Sequence, residues 1–354
     1  MNTAISPFEE ALRHAEAFAR SRDYAGADPY DGLTSPAAPL FIGRIPRQLL
    51  LQSVKRGGLP LRKAMGIRPV RMAKSMALFA EGYSLLGQNE AAAALVGRLL
   101  ASQNGGPWGY EFDVQTRWGY YKAGTPNVIA TAFVVRALAK QGRVGEVNPK
   151  TLDWLYSLID KRGYFHYTPA SSALIHNGSL LAAETVARLG GDLEPVRTAV
   201  ELTLDQQNEN GSWYYGEDKS LAWIDNFHTV YVLESLKTLQ GYGIDPGEKL
   251  DLGIKYWKEN LFTRDNYPKY YAGDSDPSRD VHNIATVVGA LPEFMQECTS
   301  PTILHPAIRL LMAHQGKDGG FRNSPRSLPF MRWNQAHAFR ALAKIHSAGK
   351  GDLE

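Results

Sequence analysis

Cysteine is nearly absent: Cys298 is the only one in 354 residues. A lone thiol forms no disulfide framework and no multi-cysteine zinc site. A dominant charge sign is missing too, since 39 Lys and Arg against 36 Asp and Glu leave a net +3. With no Arg/Lys-rich tract and no zinc-finger, homeodomain or RNA-binding signature, a nucleic-acid partner is not expected. No apolar run approaches the roughly 20 residues that span a bilayer. The opening "MNTAISPFEEALRHAEAFARSR" is charged and amphipathic and lacks a secretory apolar core. These absences predict a chain with no transmembrane segment, in the cytoplasm. What remains, 44% hydrophobic and 21% charged, suffices for a large core.

The chain repeats. Asn127, Asn177, Asn226, Asn283 and Asn334 fall at intervals of 50, 49, 57 and 51, a period that marks repeated supersecondary units. Each opens a segment rich in Ala, Val, Thr and Gly, as in "PNVIATAFVVRAL", "HNGSLLAAETVARL" and "DNFHTVYVLESL". Such helices are buried on most sides. They alternate with amphipathic stretches at 149–160, 194–207, 248–261 and 302–315, to which 8–20 and 88–103 add two, and 72–86 is one more small-residue helix. Six inner and six outer helices predict an all-α fold, an (α/α)6 toroid formed as a single domain over 1–354. A connection at 21–70 is placed to fold over its mouth. An open solenoid would need capping repeats, and none is evident.

The links carry a second signature. "QNGGPWGY" from Gln103, "QNENGSWYYG" from Gln207 and "QGKDGGF" from Gln315 each end an outer helix with Gln, then Gly, then an aromatic. Gly stops the helix in the left-handed conformation, and the aromatic packs over the next unit. This resembles the Gln–Trp repeats of the prenyltransferase and squalene–hopene cyclase superfamily, an architecture shared with six-hairpin glycosidases. A second resemblance covers more of the chain. "DPYDGL" at 28–33, "WGYEFDVQTRWGYYKAGTPN" at 108–127, "IHNGSLL" at 175–181, "DNFHTVYVLESL" and "MRWNQAHAFRAL" are similar to a family of bacterial exopolysaccharide and surface-polysaccharide biosynthesis proteins. That resemblance implies a pathway rather than a reaction.

The better-known chemistries of such toroids lack their motifs. There is no Asp-x-Asp-Asp acid, the nearest string being "DSDP" at 274–277, and no Asp-Asp-x-x-Asp magnesium site. No cofactor and no metal is expected. Carbohydrate lysis or epimerisation asks for subtler groups: an anion-binding residue, a proton acceptor and a second proton carrier. His176, Asp225, His228 and His282 are the candidate catalytic residues, with Tyr167 and His337 nearby. Asp28, Asp31, Lys74, Asp113, Arg117, Trp118, Tyr215, Tyr271, Arg332 and Trp333 are the candidate substrate-binding residues. Planar Arg groups bind carboxylate or phosphate, and aromatic faces stack on sugars.

Taken singly, each Asn reads as a helix cap, each His as structural and each link Trp as packing. Convergence favours function, because inner helices that run the same way bring their starts to one mouth. The asparagines are therefore expected to cap helices, and their His, Asp and Trp neighbours to face a ligand. The first reading is a lyase, epimerase or hydrolase of exopolysaccharide biosynthesis, acting on an acidic sugar or a lipid-linked oligosaccharide. The alternatives are an isoprenoid cyclase or prenyltransferase with an unusual acid, and a non-catalytic scaffold that partners the polysaccharide machinery.

Overall fold

The computed structural model describes residues 6–116, 119–168, 173–294 and 301–349. Its α-helices are α1 Pro7–Arg20, α2 Arg44–Ala64, α3 Ala73–Leu85, α4 Asn89–Ala101, α5 Val128–Lys140, α6 Lys150–Tyr156 and α7 His176–Arg188. They continue as α8 Glu194–Asp205, α9 Asn226–Gln240, α10 Glu248–Asn260, α11 Val281–Phe294, α12 Pro301–Ala313 and α13 Ala336–Ser347. Helices α3, α5, α7, α9, α11 and α13 form an inner ring in which each packs on the next and α13 packs back on α3. Helices α4, α6, α8, α10, α12 and α1 lie outside. The ring is closed.

Composition explains the two layers. Helix α5 (VIATAFVVRALAK) is buried from Val128 through Leu138, whereas α8 (EPVRTAVELTLD) buries only Val196, Ala199, Val200 and Thr203 at helical spacing. Close approach is set by small residues. A Cβ on Gly82 of α3 would lie 2.7 Å from the Phe339 ring of α13, so this seam needs glycine.

The Gln–Gly–aromatic links stitch neighbouring units. Gln207 donates from Nε2 to the Gly211 carbonyl at 2.9 Å and to the Lys249 carbonyl of α10 at 2.8 Å. Gln315 repeats this, to the Gly319 carbonyl and to the Ala11 carbonyl of α1, and so joins the last unit to the first. Gly319 has φ +82°, and a Cβ there would meet the His14 carbonyl oxygen at 2.4 Å. The indoles of Trp108 and Trp213 donate to the Leu99 and Thr203 carbonyls.

Four of the five asparagines differ from expectation. Asn127 is an N-cap, its Oδ1 accepting from Ala130 N at 2.8 Å. Asp225 caps α9 and Asp280 accepts from Asn283 N, so Asn226 and Asn283 lie inside the first turn. Their amides turn to loops instead. Asn226 donates to the Leu261 and Lys269 carbonyls and accepts from Trp257 Nε1, and Asn283 donates to Lys269. Asn334 sits in a π-helical turn, Met331–Gln335, and donates to the Phe321 carbonyl. Asn177 is likewise within the first turn of α7. A buried amide such as Asn226 satisfies two carbonyls where a cap satisfies one N–H.

The lower half of the lumen is filled by charge. Arg136 of α5 pairs with Glu184 of α7 and Glu234 of α9, and Arg340 of α13 with Glu81 of α3 and Glu234. Lys344 reaches Glu234 at 3.0 Å, and Arg188 reaches Glu184 at 2.7 Å. Burial opposes the Glu234 charge, but the surrounding cations outweigh it and hold the carboxyl at about 2.

The connection is more structured than its sequence suggests. Strands β1 Ala25–Gly26 and β2 Val70–Arg71 pair antiparallel at its ends. Between them α2 runs 21 residues with a break at Gly58 (φ +64°). Leu50, Val54 and Ile67 form a small apolar cluster of their own.

Candidate functional site

The inner helix N-termini bring most of the predicted residues together. At the head of α9, Asp225 Oδ1 accepts from His228 N at 2.9 Å, and Oδ2 lies 2.6 Å from His228 Nδ1. Trp223 Nε1 donates to the same carboxylate oxygen at 3.0 Å. Because Nδ1 faces the carboxylate, the proton belongs there and the Nε2 lone pair is left for another partner. The His228 ring lies between Tyr215 (centroids 4.4 Å) and Phe227 (3.9 Å). Tyr215 stacks on Trp223 at 4.7 Å and 15°, which makes an aromatic wall. His228 and Asp225 line a small recess with His176, Asn177, Trp213 and Tyr215. His176 is buried with Nδ1 3.4 Å from Thr203 Oγ1, and burial pushes its pKa down to about 4.

Behind Phe227 the lumen holds a second group. Tyr231 is one turn beyond His228, and its hydroxyl is 3.0 Å from His282 Nε2. His282 packs against the rings of Phe227 (4.7 Å), Trp333 (4.4 Å) and His337 (4.2 Å). His282 Nδ1 and His337 Nε2 are buried without a hydrogen-bond partner among the described residues. Lys74, in the first turn of α3, places Nζ over the Phe133 ring at 4.2 Å and toward Tyr231 at 5.9 Å. No ion pair forms to Lys74 among the described residues. Burial first, and then Arg332, holds the Lys74 pKa well below the ordinary lysine value. Burial and then Lys74 hold His282 neutral, and burial and then His282 do the same for His337. Three basic groups therefore gather here, and no carboxylate forms an ion pair with them among the described residues.

Other predicted residues are already engaged. Arg332 makes a two-point pair with Asp28, Nε to Oδ2 at 2.7 Å and Nη2 to Oδ1 at 2.8 Å, with both side chains buried. Burial works against the guanidinium charge, and Asp28 together with Tyr110 and Tyr30 outweighs it. Asp31 is turned away from the lumen, pairing with Arg62 of α2 and accepting from Asp28 N. Asp113 accepts from Ala123 N and Tyr120 Oη and so holds a hairpin of β3 Val114–Gln115 and β4 Tyr120–Tyr121. Tyr271 is at the rim, its N–H donating to Asp274 and its ring beside Tyr270. Trp333 Nε1 approaches Asp280 at 3.4 Å. Arg117 and Trp118 lie outside the described residues, as does Cys298.

Tyr231, Phe227 and Trp223 were not singled out from sequence. For the first two the signal was available: in "NFHTVY" residues 227 and 231 are i and i+4 and share one helix face.

No family model and no curated protein matches the chain. Solved structures do. The type II terpene cyclase MstE from Scytonema, without ligand, is similar over 98% of this chain and 100% of its own, at 13% identity and TM-score 0.59. A Salmonella enterica protein described as a possible member of the GH105 family is similar over 98% and 95%, at 11% identity and TM-score 0.60. Cellobiose 2-epimerase from Bacillus thermoamylovorans is similar over 77% and 86%, at 14% identity and TM-score 0.54. The chain has the α/α-toroid fold. At these identities the likeness is one of fold, shared by carbohydrate-active enzymes and terpene cyclases. No helix among the described residues is long and apolar enough to cross a membrane.

Proposed function

We propose that the protein is a carbohydrate-active enzyme of surface-polysaccharide production that moves a proton on an acidic sugar. The observation that carries this reading is the Asp225–His228 pair, an oriented imidazole beside the Tyr215–Trp223 wall at the helix N-termini. In this reading a sugar ring rests on the aromatic wall. Lys74 and the positive ends of the inner helices receive its carboxylate, since Arg332 is occupied by Asp28. His228 Nε2 takes the proton from the ring carbon next to the carboxylate, and the electron pair of that C–H bond delocalises into the carboxylate. Return of a proton to the opposite face by the Tyr231–His282 pair gives the epimer. Loss of the neighbouring oxygen substituent with that electron pair gives the unsaturated sugar. Hydrolysis fits less well, because Asp28, Asp31 and Asp113 are held in pairs or turns. The motif resemblance supports the polysaccharide pathway.

The test is proton exchange in deuterated water with uronic-acid oligosaccharides and with nucleotide-linked uronic acids. Deuterium should enter the sugar or a double bond should form, and His228→Ala should abolish either signal without unfolding the protein. Unchanged exchange in His228→Ala would remove this residue from the chemistry. The second reading, an isoprenoid cyclase, is favoured by the rings of Phe133, Phe227, Tyr231 and Trp333 about the lumen histidines. Thermal stabilisation by prenyl diphosphates, with none by any uronic acid, would move the conclusion there.

A further inference from the structure

Five of the nine large hydrophobic side chains that stand exposed among the described residues lie in one short stretch: Leu40 (82%), Ile42 (79%), Ile45 (65%), Leu49 (63%) and Leu59 (59%). Two of them share the outer face of α2. Ile45 and Leu49 are i and i+4, and Gln52 and Arg56 continue that face, while Leu50, Leu51 and Val54 point inward. Apolar surface of this kind, gathered on one element, marks an interaction site.

Its charge says which partner. From Gly32 to Ala80 the chain has no Asp or Glu and nine Lys and Arg. Arg62 and Arg71 are neutralised by Asp31 and Asp23, and Lys74 is in the lumen. Arg47 lies over the Tyr120 ring, and Lys55, Arg56, Lys63 and Arg68 stand exposed around the apolar stripe. Basic groups flanking exposed Leu and Ile on an amphipathic helix fit a bilayer interface, where the chains enter the acyl boundary and the cations meet anionic headgroups. A nucleic-acid surface would offer stacking aromatics in place of branched aliphatics.

The patch lies on the mouth side. Helix α2 packs on the Asp31–Thr34 turn and on β3, and Arg62 ties it to Asp31. Three residues earlier Asp28 grips Arg332 at the head of α13. We propose that the Leu40–Lys63 segment docks the protein onto an anionic membrane surface with the funnel mouth beside the bilayer. This inference stands apart from the reaction proposed above. It would place the site where a lipid-linked saccharide is presented.

The test is co-sedimentation of the purified full chain with phosphatidylcholine vesicles, with and without phosphatidylglycerol. Binding should require phosphatidylglycerol and weaken as salt is raised. The triple variant Ile42→Ser/Ile45→Ser/Leu49→Ser should bind about tenfold more weakly, and so should Lys55→Gln/Arg56→Gln/Lys63→Gln. These side chains are exposed, so the fold should persist, checked by an unchanged thermal midpoint. Leu252→Ser, an exposed leucine on α10, should bind like the parent. The proposal is overturned if no vesicle binds, if both triple variants bind as well as the parent, or if light scattering finds a dimer that Ile45→Ser dissociates.

Discussion

Asp28 and Arg332 are 304 residues apart in sequence, yet two hydrogen bonds of 2.7 and 2.8 Å join them, with side-chain exposures of 0% and 3%. If the pair fastens the connection to the head of α13, Arg332→Met strands a buried carboxylate, and Asp28→Asn leaves a buried guanidinium against a neutral amide. Breaking one side of such a pair costs about 3–5 kcal/mol. That is a large share of the roughly 5–15 kcal/mol that holds a typical domain folded. The double variant Asp28→Asn/Arg332→Met carries neither charge, so it should lose less than the sum of the single losses by about 2 kcal/mol or more. Urea unfolding of the four proteins gives this cycle directly. Single losses below about 1 kcal/mol, or strict additivity, would refute the argument and return Arg332 to the set of groups free to hold a ligand anion.

Acid should weaken the protein through its buried imidazoles. His176 is held at about 4, so the unfolded chain takes its proton first as pH falls, and the contribution present above about 6.5 is lost on the way down to about 4. This one residue accounts for about 3 kcal/mol over that window, and His282 and His337 shift in the same direction. A thermal midpoint that does not move across the window would contradict that burial. In the lumen floor, Arg136→Met removes a cation shared by Glu184 and Glu234 and should cost about 3–5 kcal/mol in urea unfolding. A loss below about 1 kcal/mol would mean that Arg188, Arg340 and Lys344 neutralise the two carboxylates unaided.

The layers of the ring were legible from sequence alone, because helical period and small-residue helices are local signals that repeat about every 50 residues, and the Gln–Gly–aromatic links mark where outer helices end. The candidates at the inner helix starts were legible for the same reason, since closure carries every start to one mouth. Helix α2 was hidden by Pro46, Gly57, Gly58 and Pro60, which read as breakers but fall at its first turn and at its kink. The asparagines looked like caps because capping is the local use of Asn. Asn127 is one, but the bonds of Asn226, Asn283 and Asn334 go instead to the Leu261, Lys269 and Phe321 carbonyls, which are reached only once the links have folded back. Which charges are engaged and which are left over was decided by tertiary structure. Asp28 meeting Arg332, Arg136 meeting Glu184 and Glu234, and Lys74 meeting the Phe133 and Tyr231 rings are pairings of distant segments. A residue's type fixes whether it can carry charge; the company that burial gives it decides whether that charge is already answered.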